Sequence, residues 1–141
     1  MRSYAEMEIF STKEWASWSL ATHFVGKIPD EDSSGMLRCH EIARALGKIL
    51  NLDVQDGWFG MVEHSWLWTS KPEWVEGKLY PWHWPNILDV YAVGSLPQVQ
   101  LIDCRSMLPY NQAFRPCPEP RTDIRDDVVE ALLRGSVPRS K

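Results

Sequence analysis

The stretch Leu37-Arg38-Cys39-His40-Glu41-Ile42-Ala43-Arg44-Ala45-Leu46-Gly47-Lys48-Ile49-Leu50-Asn51 decides the fold. Cys39, Ile42, Ala43, Leu46, Ile49 and Leu50 recur at the spacing that keeps side chains on one face of a helix. Arg38, Glu41, Arg44 and Lys48 fall largely on the other side. Ser33 or Ser34 is the expected cap, and Asn51 suits the exit. A helix with one apolar stripe needs a layer to pack on. From Leu52 the apolar period changes from helical to two, the mark of strands.

Downstream, Asp56-Gly57 is the expected hairpin turn between Leu52-Asp53-Val54-Gln55 and Trp58-Phe59. Residues 61–69 read as a strand with Val62, His64, Trp66 and Trp68 on one face. Residues 70–85 are irregular, broken by Pro72, Gly77, Pro81 and Pro85, and strands follow at 86–93 and 99–104. Residues 109–122 hold Pro109, Pro116, Pro118 and Pro120 and read as an extended tether. A last amphipathic helix covers 123–134, with Ile124, Val128, Val129, Leu132 and Leu133 facing in, Gly135 ending it and 136–141 fraying. Upstream, Ser11-Thr12-Lys13-Glu14 has capping-box spacing before a helix at 12–25 whose inward residues are Trp15, Trp18, Ala21 and Val25. Gly26 ends it, and 29–35 form a polar loop. Two helices, a run of strands and one helix give an α+β class, and 141 residues suffice for a single domain with a core.

A net charge of −4 argues against a nucleic-acid backbone or an anionic membrane as partner, because both want clustered Lys and Arg. No signal peptide or spanning run is seen, and the odd number of cysteines lacks a Cys-x-x-Cys pair, so the expected compartment is the cytoplasm. Secretion by a route without a cleaved signal stays open, and the oligomeric state is not legible.

Three residues carry the chemistry. Cys39 lies in the first turns of its helix, where unpaired N–H groups and the macrodipole favour a thiolate. Its bland alternative is a small core residue. His40 is adjacent, and helix neighbours do not face each other, so it reads as a surface or structural residue rather than a base. His64 sits mid-strand in His64-Ser65-Trp66-Leu67. Asp89 interrupts Ile87-Leu88-Asp89-Val90, where an acid is costly unless paired, and an imidazole N–H is its natural partner. Asp103 is the rival acid. A thiol, an imidazole and a carboxylate on rigid elements are what covalent acyl chemistry requires.

Arg38-Cys39 opening a helix through Ala43-Arg44-Ala45-Leu46, then a strand, then His64-Ser65-Trp66-Leu67, then Ile87-Leu88-Asp89, resembles the transglutaminase-like branch of the papain-like cysteine fold. The resemblance covers residues 35–91. It implies a core helix, with its nucleophile at the N-terminus, packed on an antiparallel sheet. It implies Cys39 as nucleophile, His64 as base and acid, and Asp89 as orienter, with no cofactor. Many members carry Pro after the aspartate, where this chain has Val90. The activity implied is that of a cysteine peptidase, amidase, deamidase or acyltransferase on a protein or peptide.

Among the eight tryptophans, Trp66, Trp82 and Trp84 are expected to line a substrate groove, with Pro81-Trp82-His83-Trp84-Pro85 as a lid or wall. The alternatives are a core role or a patch for a partner. The latter gives a rival function, a non-catalytic protein-binding module with a Trp-rich face. Cys39, His40, His64, His83 and Asp89 lack any familiar zinc spacing, so no metal is expected. His83 is a minor candidate for a second base, and Cys104 and Cys117 read as structural or incidental.

Overall fold

A computed structural model describes residues 9–28, 37–91, 97–105 and 112–135. It is α+β, with helices α1 (Thr12–Val25), α2 (Cys39–Leu50) and α3 (Asp126–Leu133) and strands β1 (Val54–Phe59), β2 (Val62–Trp68), β3 (Ile87–Tyr91), β4 (Gln98–Ile102) and β5 (Phe114–Pro116). The strands form one antiparallel sheet in the order β4-β3-β2-β1-β5. No helix among the described residues is long and apolar enough to cross a membrane. The polar loop at 29–35, with Ser33 and Ser34, and the tail at 136–141 lie outside the described residues, as do 92, 93 and 109–111 of the expected strand and tether.

Helix α1 begins as its sequence requires. Ser11 Oγ accepts from the Glu14 backbone N–H, and Glu14 Oε1 accepts from the Ser11 N–H. Glu14 also accepts from Asn86 Nδ2, and Asn86 Oδ1 accepts from the Cys104 N–H, so one side chain joins α1 to the ends of β3 and β4. Helix α2 ends at Asn51, in the left-handed region with φ 56°, whose N–H caps the Gly47 carbonyl.

The helices cover one face of the sheet. Ala21, Val25, Ile42, Leu46, Val128 and Leu132 pack there on Leu67, Leu88 and Val90. The other face carries Trp66, Trp68, Ile87, Ile102 and Phe114, shielded by Leu79 and Trp84 from the irregular segment at 70–85. Both faces are buried, so the sheet is a middle layer, and its alternate residues feed two separate apolar clusters.

Four expectations need correction. The hairpin turn is at Gly60, φ +61°, not at Asp56-Gly57, which lie inside β1. Gly57 is where β5 crowds in: a Cβ there would sit 2.1 Å from the Arg115 carbonyl oxygen. The Pro-rich tether contributes that strand, because Phe114 buries itself in the sheet while Pro116, at the edge, needs no N–H for a neighbour. The cap of α2 is Arg38 rather than Ser33 or Ser34. Finally, the far side of α2 is not wet. Glu41 has no exposed surface, because α3 and the segment before it cover that side, whereas Ile49, expected inside, is exposed.

Candidate active site

Cys39 is the first residue of α2. Its N–H is therefore among those with no partner inside the helix, and its sulfur meets the positive end of the dipole. Arg38 fixes this helix start. Its Nε and Nη2 donate to the two oxygens of Glu41 at 2.8 and 2.6 Å, and its other nitrogen reaches Asp123. Glu41 Oε2 also accepts from the Arg125 N–H, which brings the chain just ahead of α3 onto the same carboxylate.

Strands β2 and β3 pair only at Leu67 with Leu88 and at Trp68 with Ile87. Beyond these positions the ladder does not continue among the described residues. At this opening His64 Nε2 meets Asp89 Oδ1 at 2.6 Å, with the imidazole 3% and the carboxylate 1% exposed. Its remaining nitrogen, Nδ1, is the one left for the hydrogen bond with the Cys39 sulfur. The three residues singled out in the sequence are thus brought together, although His64 and Asp89 lie in β2 and β3 and Cys39 in the helical layer. Asp103, the rival acid, instead accepts from the Arg105 backbone and side chain.

The electrostatics follow from these contacts. Burial by itself pushes the Cys39 thiol up, but hydrogen bonds with His40 and then His64 outweigh it and bring the thiol down to about 6. Burial opposes a charge on His64, yet Asp89 and then Cys39 hold it up at about 9. The thiolate survives as pH falls until about 6, and the imidazolium survives as pH rises until about 9. Between these limits the pair is a thiolate beside an imidazolium, the reactive form of a cysteine nucleophile.

Of the two roles expected for His40, surface or structural, the buried one holds. Its Nδ1 lies 3.7 Å from the Cys39 sulfur and 2.7 Å from Ser65 Oγ. At the first turn of α2 the two consecutive side chains meet because the helix end abuts β2, a packing effect that helix geometry does not encode. Ser65 Oγ in turn donates to Asp56 Oδ1 at 2.6 Å, and Arg44 donates to both Asp56 oxygens at 3.0 and 2.6 Å. The one available signal was spacing. His40 and Arg44 are four apart on α2, and Asp56 and Ser65 lie opposite each other across β1 and β2.

The tryptophans divide. Trp66 is fully buried, 28° from the plane of the His64 ring, and packs against Trp68 and Phe114. It backs the imidazole and presents no surface to a substrate, which corrects its place among groove residues. Trp84 is half-buried against Trp68. Trp82 is 73% exposed and stacks on Tyr80 at 4.7 Å, on a turn of 3-10 helix, Pro81–His83. The His83 ring packs on Tyr80 and Trp82. Among the described residues no group of three His, Cys, Asp or Glu side chains is arranged to hold a metal ion. No family model, curated protein or solved structure matches this chain.

Proposed function

We propose that this chain is a cysteine-dependent acyl-transfer enzyme of the papain-like, transglutaminase-like kind, acting on an amide or ester carbonyl of a protein or peptide. The observation that carries the reading is the thiol at the first position of α2, hydrogen-bonded to an imidazole whose far nitrogen is 2.6 Å from a buried carboxylate. A core helix starting at the cysteine and packed on an antiparallel sheet, with histidine and aspartate on neighbouring strands, supports the assignment to that fold.

In the resting ion pair His64 already holds the thiol proton. The Cys39 thiolate attacks the carbonyl carbon, a C–S bond forms, and the π electrons move onto oxygen, where the Cys39 N–H donates. Collapse of this oxyanion breaks the C–N or C–O bond. His64 gives its proton to the departing amine or alcohol and leaves a thioester on Cys39. Water or an amine then loses a proton to His64, attacks the thioester and releases the thiolate. Asp89 holds the imidazole in the tautomer that presents Nδ1 to sulfur and stabilises its cation. The sulfur has no exposed surface, so the acyl group reaches it only when the covering chain moves.

The test is acylation by p-nitrophenyl acetate, followed as a burst of nitrophenol and as an acetyl thioester on the Cys39 peptide by mass spectrometry. The expected result is a burst in the wild type and none in Cys39→Ala, with the far-ultraviolet circular dichroism unchanged. A burst that survives Cys39→Ala overturns the reading. The burial of the sulfur and the exposure of Trp82 favour one other reading, a binding module held together by the same buried network. A wild type that never acquires the acetyl group supports it.

A further inference from the structure

We infer that the Cys39 sulfur has a second dedicated hydrogen-bond donor, the Nδ1–H of His40, whose proton is held in place by the chain Ser65–Asp56–Arg44. This deepens the reading of Cys39 as nucleophile and rests on it. His40 is then a positioning residue for the thiolate and not its base.

The direction of each bond in the chain is fixed by the one before it. Arg44 can only donate, and it donates to both oxygens of Asp56. Asp56 also accepts from the Arg121 backbone N–H at 3.0 Å. Burial works against a charge on Asp56, but these donors hold its carboxyl below the usual range, so it carries no proton to give. The single hydroxyl proton of Ser65 therefore goes to Asp56 Oδ1, 2.6 Å away. Ser65 Oγ is left with lone pairs only, so the 2.7 Å contact with His40 requires the proton on Nδ1. That holds whether the ring is neutral or charged.

An Nδ1 that already carries a proton cannot accept one from the thiol 3.7 Å away. It can only offer the proton to sulfur, shared with Ser65. His64 is the reverse case, since its Nε2 is turned to Asp89 and no serine fixes a proton on the nitrogen it shares with the thiol. Two imidazoles thus flank one sulfur, each oriented by its own carboxylate, one as base and one as donor. The titratable groups on the sulfur are His40 from its own helix and His64 from β2. Behind them stand Asp56 on β1 and Asp89 on β3, with Arg44 the charge that closes the first chain.

The test reads ionisation directly, so the buried sulfur needs no access to a reagent. Thiolate ultraviolet absorbance is titrated against pH, each protein minus its own Cys39→Ser counterpart. A hydrogen bond to a charged sulfur should move the midpoint by about one to two pH units. The expected result is a rise of that size in His40→Phe and near wild-type behaviour in His40→Asn, whose side-chain N–H stands where Nδ1–H was. A midpoint unchanged in His40→Phe, with His64→Ala still raising it, overturns the role of His40 and leaves the nucleophile standing. A midpoint moved by His40→Phe but not by His64→Ala makes His40 the base and overturns both assignments. Where His40→Phe fails to fold, Ser65→Ala takes its place. It frees the imidazole proton, and a midpoint equal to wild type overturns the inference.

Discussion

Cys39 and Cys104 are thiols in the same small domain, and their surroundings drive them in opposite directions. Cys104 lies beyond β4 in the apolar cluster behind the sheet. Burial, followed by the charge of Asp103, pushes it up to about 12. Cys39 is the more buried of the two by surface, yet it stands at about 6. Withdrawal from water therefore sets the starting point, and the groups aimed at the sulfur decide the outcome. A thiol facing a carboxylate is kept protonated, whereas one facing two oriented imidazoles at a helix start is kept ionised.

The substitution that should do most to break this contrast is His64→Ala. Without its base partner Cys39 should rise by about one to two pH units toward the free-thiol range, the His40 donor still in place, and the thiolate at pH 7 should fall several-fold. Alkylation of the Cys39 peptide across pH, with Cys104 as the internal reference, reads this, and an unchanged profile would remove His64 from the pair. Wild type should in addition show a bell in its acylation rate. The acid limb comes where the thiolate is protonated, near 6, and the alkaline limb where His64 loses its proton, near 9.

Next in size is Glu41→Ala. It strips Arg38 of its fork and leaves the Arg125 N–H without its acceptor, at a cost of about 3 kcal/mol in urea unfolding. Gly57→Ala should cost about 2 kcal/mol, because the new methyl collides with the β5 backbone. Gly57 pairs with His64 and adjoins Asp56, so the collision should also disturb the partners of Cys39, and thiol titration beside urea unfolding reads both effects. Trp82→Ala should change stability by less than about 0.5 kcal/mol, since most of the ring is in water. A change in KM for a peptide substrate, with kcat held, would place Trp82 on the groove; a loss of stability would place it in the core.

Much of this was legible in residues that break a pattern. Asp89 inside Ile87-Leu88-Asp89-Val90 announces a partner because an unpaired acid there is prohibitive, and the partner is His64. The capping box at Ser11 and the exit at Asn51 mark helix ends through local chemistry alone. The misreadings share one cause. Glu41 and Asp56 are polar, and an amphipathic wheel or a turn dipeptide sends polar residues outward. Here Glu41 is buried against Arg38 and the Arg125 backbone, and Asp56 lies in a buried chain with Ser65 and His40, interiors that only tertiary packing creates. Gly57 likewise carries a turn signature in sequence, while its actual use is to let another strand approach.

The short segment from Arg121 to Arg125 gives the domain an order of assembly. Its backbone donates to Asp56 at one end and to Glu41 at the other, and Asp123 between them holds Arg38. All the residues around the sulfur are synthesised by position 89, but these three fastenings arrive afterward. A nascent chain can close the consecutive strands β1 to β4 from neighbouring sequence, which is the quick part of folding. The helix start and the donor chain lack their full set of contacts until residues 121–125 dock. Full fastening of the helix start and of the donor chain thus waits on residues 121–125, which are made after every residue around the sulfur.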